Sequence, residues 1–167
     1  DQISTYDDTG GTVQGEDAFV STKIDLRQLA AAFVGGPASD PLQPDMSRVH
    51  NTAIVDGQIG GINDFEVTYI SGDAGTSAGQ IVGGGVLIVD GDIHISGKLA
   101  WYGLVIILGD MQMTGGGNGV HVFGSMMVES ESVVAGHADI WWSQEAIDKV
   151  MTDCNPSIKL DVIPLVW

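Results

Sequence analysis

The chain has one cysteine, Cys154, so it can form neither an internal disulfide nor a cysteine-based metal cluster. Basic residues are almost as scarce. Only 6 Lys and Arg stand against 22 Asp and Glu, for a formal net charge of −16. A surface this acidic repels nucleic acid and anionic membranes, so neither is expected as a partner. It suits a secreted or high-salt setting, or a surface that takes up divalent cations. No apolar run approaches the ~20 residues that cross a bilayer, and no secretory leader is read at the start. The first residue is Asp1 rather than Met. The expectation is that something upstream has been removed, and any anchoring segment with it.

Glycine, by contrast, is abundant at 24 residues, without the one-in-three period of collagen. It recurs every sixth position at Gly79, Gly85, Gly91, Gly97, Gly103, Gly109 and Gly115. The second residue after most of these is apolar (Ile81, Leu87, Ile93, Leu99, Val105, Met111), and so is the fourth (Val89, Ile95, Trp101, Ile107, Met113). Positions two apart share one face of a strand, so each hexad reads as a short strand with two side chains turned inward. Glycine at each hexad start lets the backbone turn a corner. Three hexads close a coil of about eighteen residues. The dipeptides Gly72-Asp73, Gly91-Asp92 and Gly109-Asp110, nineteen and eighteen residues apart, repeat at that interval independently. The fold expected is all-β, a triangular parallel β-helix in a single domain. A β-sandwich fits worse, because its turns recur about every 8–12 residues and mix Asn, Asp and Pro with Gly.

Around this repeat, residues 1–15 read as a flexible arm. Residues 24–34 carry an apolar stripe at helical spacing (Ile24, Leu26, Leu29, Ala30, Phe33), stopped by Gly35-Gly36-Pro37. The stretch 37–50 is an irregular, proline-bearing connection. Coils are expected over 53–140, with Ala53–Val55 and Phe65–Ile70 as early strands and a bulging loop at Gly115–Gly119. Ser143 should cap a helix over 144–151, and Ile158–Trp167 reads as an apolar closing strand. Together, 143–167 are candidates for capping an open end of the solenoid.

Stacking at eighteen residues sorts the outward positions. Val86 falls under Leu104 and Val122, Ile88 under Ile106, and Asp90 under Leu108 and Met126. This makes one outer face apolar, an interaction surface of Val86, Ile88, Leu104, Ile106 and Leu108 that something must cover. The 24–34 helix is the expected cover, and a partner subunit is the alternative. A second face is polar, with Asp92 under Asp110 and His94 under Gln112.

These residues resemble a known family. The runs Gly84-Gly85-Val86-Leu87-Ile88-Val89-Asp90-Gly91-Asp92 and Gly103-Leu104-Val105-Ile106-Ile107-Leu108-Gly109-Asp110 are similar to the glycine-rich C-terminal domain of PilX-like type IV pilus-associated proteins. The similarity extends to Asp139-Ile140-Trp141-Trp142-Ser143, and to Ile24-Asp25-Leu26 with Leu29-Ala30-Ala31-Ala32. Bactofilins, which form polymers of triangular β-helices, share the repeat but not the flanking pieces. The pilin-type hydrophobic helix is absent from this chain. The resemblance implies an extracellular structural role on a pilus-like filament or cell-surface assembly, with protein subunits, including copies of the chain itself, as partners. It implies no catalytic residue.

β-Helices also carry polysaccharide lyases and hydrolases, so a carbohydrate-binding or carbohydrate-active protein is the alternative reading. Asp92 and Asp110 would stack about 5 Å apart at the backbone. They would then splay into water, share a calcium ion, or form a catalytic pair. Calcium is the one cofactor the sequence suggests. His50, His94, His121 and His137 have no ligand spacing. Of Trp141 and Trp142, adjacent on a strand, one is expected inside and one outside. The reading taken from the sequence is a non-catalytic structural protein.

Overall fold

The structure is a computed structural model, and it describes residues 24–36, 40–46, 49–51, 57–59, 61, 63–76, 80–114 and 119–154. Among these, the parallel strands wind as successive coils. The first coil runs through β1 (Val49–Asn51) and β2 (Gly57–Ile59), and the next through β3 (Glu66–Ser71) and β4 (Ala74–Thr76). Three regular turns follow in β5 (Gln80–Asp90) and β6 (Ile93–Ile95), β7 (Lys98–Ile107) and β8 (Met111–Met113), and β9 (Val120–Val128) and β10 (Ser132–Val134). β11 (Ala138–Trp142) begins a last coil. One sheet has the order β1-β3-β5-β7-β9-β11, with β2 also against β5, and the other β10-β8-β6-β4. The fold is the expected β-solenoid.

The hexad pattern explains the walls. Leu87 pairs with Val105, Ile81 with Leu99, and Ile93 with Met111, each eighteen residues on. All eleven inward positions named from the repeat lie in one buried cluster, joined by Ile70, Val120 and Val122. Trp101, the largest, stacks beside Gly83, and its indole N–H donates to the Gly85 carbonyl at 3.1 Å. The long strands bend at stacked glycines. Gly85, Gly103 and Gly124 have φ of 104°, 135° and 140°, a region that favours glycine. A Cβ at Gly103 would lie 2.2 Å from the Gly85 carbonyl oxygen, so the corner needs hydrogen there.

The eighteen-residue register is interrupted after residue 114 and resumes between β9 and β11, where Val120 pairs with Ala138. Ile95 pairs with Met113, but Leu99 pairs with Val120, so three extra residues fall in the glycine run that follows Met113. Leu104 therefore stacks on Ser125 and Ile106 on Met127. The expected stacks of Leu104 on Val122 and of Leu108 on Met126 are corrected by those three residues. The expected bulge at Gly115–Gly119 falls mostly outside the described residues. So do Ala53–Val55, the 1–15 arm and the closing strand 158–167.

Two helices run along the outside. α1 (Leu26–Val34) is capped by Asp25, whose Oδ1 accepts the N–H groups of Arg27 at 3.0 Å and Gln28 at 3.1 Å. Gly35, at φ 75°, closes it. α2 (Gln144–Asp153) is capped by the Ser143 hydroxyl, which accepts the Ala146 N–H. α1 starts beside Val128 and Glu129 and ends against the first coils, where Asp45 N–H meets the Val34 carbonyl. α2 leaves β11 and ends with Cys154 hydrogen-bonded to the Val86 backbone. Both helices thus run opposite to the direction in which the coils stack. The α2 segment, expected over an end of the solenoid, lies along its side against β5, β7 and β9. No helix among the described residues is long and apolar enough to cross a membrane.

Candidate functional site

Three surfaces bear on function: the acidic column, the apolar outer face, and the end of the solenoid where β10 and β11 lie. The column stands at one corner. Oδ1 of Asp73 accepts the N–H of Asp92 at 3.0 Å, Oδ1 of Asp92 accepts that of Asp110 at 2.8 Å, and Oδ1 of Asp110 accepts that of Glu131 at 3.1 Å. Asp92 and Asp110 do stack, as the sequence indicates. Each carboxylate, however, turns along the axis to a backbone donor in the next coil. The corner N–H groups, which no sheet pairs, thereby gain an acceptor. The column borders a groove of about 380 Å³ that His94 and Gln112 also line. Among the described residues, no group of three or more His, Cys, Asp or Glu is arranged to hold a metal ion. His94 Nε2 lies 3.0 Å from the Thr114 hydroxyl.

The Ser130 hydroxyl, and then the Glu131 N–H, hold the Asp110 carboxyl below the usual carboxylate range. A carboxylate favoured in the folded state stabilises it at every pH above the ordinary carboxylate pKa of about 3.9. That contribution disappears as pH falls through the depressed folded value. Asp110→Ala is therefore expected to melt below wild type at pH 7, with the difference shrinking as pH falls through the depressed folded value. Calcium and chelator are expected to leave both unchanged. A melting temperature that rises with millimolar calcium and falls in Asp110→Ala would show that the column holds a cation.

The apolar outer face is closed within the chain. Val86, Ile88, Leu104, Ile106 and Leu108 are all buried, in one cluster with Ala30, Phe33 and Val34 of α1, and with Val150 and Cys154 around α2. As an interaction surface these five residues are corrected: they form an internal interface and offer nothing to a partner. α1 contributes to the cover, as expected, and α2 shares it. Arg27 pins α1 to three successive coils. Its Nε sits 3.1 Å from the Glu129 carboxylate, its Nη2 donates to the Leu108 carbonyl at 3.4 Å, and its Nη1 lies 3.7 Å from Asp90. Asp90 also accepts the Tyr69 hydroxyl at 2.8 Å. Burial, reinforced by that hydrogen bond, pushes the Tyr69 phenol well above its ordinary pKa. Burial likewise raises the Cys154 thiol, to about 11.

The remaining surface is the one the repeat pattern missed. Among the described residues, β11 and β10 are the last strands of their sheets, and no described strand pairs their outer edges. Val134 and Ile140 occupy inward positions, beside Met113 and Val122 of the preceding coil. Met113 is 4% exposed and Val122 0%, whereas Val134 is 48% and Ile140 51%. Among the described residues the solenoid core is thus open at this end, rimmed by the partly buried Met126, Val128 and Ala138. Trp141 stacks on Phe123 at 4.6 Å between ring centroids and on His121 at 6.1 Å. Trp141 and Trp142 are 45% and 66% exposed, so the expectation of one buried indole is corrected. Nothing among the described residues covers them. The exposure was readable in principle: Trp142 is the last residue before the Ser143 cap, where the hexad pattern stops.

No protein-family description, curated protein or solved structure matches the chain. The resemblance to PilX-like domains therefore rests on the motifs alone.

Proposed function

We propose that this chain is a non-catalytic structural module of an extracellular or cell-surface assembly, a pilus-like filament in the first instance. It joins protein subunits, copies of itself included, through the open end of its solenoid. The observation that carries this reading is the half-exposed pair Val134 and Ile140, core positions that no described coil covers. Apolar core residues beside two strand edges that no described strand pairs form a template for another β element. The other large apolar surface, over β5 and β7, is already covered within the chain. The net charge of −16 keeps such modules apart except where an apolar contact outweighs the repulsion.

The test is association as a function of concentration, by sedimentation velocity and negative-stain electron microscopy. Wild type is expected to form end-to-end species whose proportion rises with concentration and with salt, which screens the acidic surfaces. Ile140→Lys is expected to abolish them and to leave the melting temperature within a few degrees of wild type. Association unchanged in Ile140→Lys, or none at any concentration, would overturn the reading.

A further inference from the structure

We infer that the open end receives a basic β-strand of a different chain, with Arg or Lys side chains set over Asp139 and Trp141 and an apolar one over Ile140. The inference rests on the assembly role proposed for that end, and adds the chemistry of the subunit that fits it best. The outward side chains of β11 carry it. Ala138 and Ile140 face the core, so Asp139 and Trp141 face out, beside His121 and Phe123 of β9. His121 Nδ1 lies 3.2 Å from Asp139 Oδ2. The Trp141 indole lies close to parallel with both rings of β9, at 9° to His121 and 20° to Phe123. Those two rings cover the same indole face, since they come from one strand. The other face is turned to the side where no described strand lies, and Trp141 remains exposed.

A strand paired with the outer edge of β11 would set one side chain beside each of these residues, about 5 Å away. It would also take the partly exposed Asp139 carboxylate out of water. Burying a carboxylate is costly unless a counter-charge comes with it. A basic side chain from the incoming strand supplies that charge, on the side of Asp139 opposite His121. The same chemistry fits Trp141. An indole face attracts a guanidinium or ammonium group, and the attraction grows as water is excluded. Ile140 lies between the two and faces the core, so its partner is apolar. The incoming sequence therefore alternates basic and apolar residues. The net charge of −16 draws such a strand in at longer range. A second copy does not match it. Among the described residues, the strands with an outer edge that no described strand pairs are β1, β2, β4, β10 and β11, and none of these contains Lys or Arg.

The test uses the full chain, at a concentration where it is monomeric, and three short capped peptides as probes. One alternates Arg and Val, one Glu and Val, and one Arg and Gly. Binding is read by titration calorimetry and by tryptophan fluorescence. The Arg/Val peptide is expected to bind, and to bind more weakly as salt is raised, the opposite of the salt dependence expected for self-association. The Glu/Val and Arg/Gly peptides are expected to bind at least ~tenfold more weakly, and Asp139→Asn and Trp141→Ala each to weaken the Arg/Val peptide ~tenfold. Asp139→Asn removes one of 22 acidic residues, so a loss of that size places the peptide at β11 rather than on the acidic surface at large. Arg/Val binding that is unchanged in both variants, or matched by Arg/Gly, would mean general attraction to that surface and would overturn the inference. No Arg/Val binding, while wild type still self-associates and Ile140→Lys abolishes it, would give the edge to a second copy, which overturns the basic strand and keeps the assembly role. Arg/Val binding as expected, with no self-association at any concentration, would keep the basic strand and remove self-assembly.

Discussion

Gly103→Ala is expected to destabilise the protein by ~3 kcal/mol or more, because it combines two unfavourable effects at one corner. The first is conformational. Gly103 has φ 135°, where an L side chain is strained, at a cost of ~1–3 kcal/mol. The second is steric. The added Cβ would meet the Gly85 carbonyl oxygen at 2.2 Å, and that oxygen belongs to a backbone held by pairing on both sides. Gly72 separates the two effects. It has φ 84°, but a Cβ there meets nothing within 4 Å, so Gly72→Ala carries the strain alone. For a chain of this length each kcal/mol lowers the melting temperature by ~2–4 °C. Thermal melts of the two variants should therefore differ by several degrees, with Gly103→Ala the lower. Equal melting temperatures would mean that the stacked corner glycines are not held by their contacts.

Val105→Asp and Ile106→Glu are expected to fail to fold, for reasons on opposite sides of one strand. Val105 and Ile106 are neighbours on β7, so their side chains point to opposite faces. Val105 is fully buried in the inner core, and Ile106 is fully buried under the two helices. An unpaired carboxylate at either position loses ~1.5–3 kcal/mol of apolar burial and adds several kcal/mol of desolvation. That sum rivals the whole stability of a typical domain, roughly 5–15 kcal/mol. Both variants should show a coil-like circular dichroism spectrum at 25 °C. If Ile106→Glu instead folded as a stable monomer, α1 and α2 could not be covering β7 as described.

The contrast between these neighbours shows how far the sequence could be read. Val105 was legible because alternation and a glycine every sixth residue are local properties that put Leu87, Val105 and Ile107 on one side. The need for a cover over Val86, Ile88, Leu104, Ile106 and Leu108 followed from the same alternation. Which segment supplies that cover is a question of tertiary docking. The stripe on α1 indicates an apolar face without saying where it lands. α2 was harder to place, because nothing in Gln144–Asp153 shows that the chain turns back along the side after β11. The corner column was half legible. Gly-Asp recurs at Asp73, Asp92 and Asp110, but Glu131 is displaced by the three residues inserted after Met113, so counting in eighteens misses it. The open end was missed because exposure there depends on which coils are stacked on which, while Val134 and Ile140 look like any other core position.

The path of Arg27 has a consequence for how the molecule comes apart. A bare solenoid is a one-dimensional stack in which each coil touches only its neighbours, so it can fray from either end one coil at a time. Arg27 joins Asp90, Leu108 and Glu129, residues of three different coils, and its bond to Glu129 links positions 102 apart in sequence. α2 likewise touches β5, β7 and β9 together. The two helices act as staves across the stack, so the central coils cannot peel away singly without releasing both. Unfolding of that region becomes a cooperative, all-or-none event, while β10 and β11 lie nearest the open end and are the first to loosen. The formation of contacts this distant in sequence also places helix docking late in folding, after the coils that it locks have been wound.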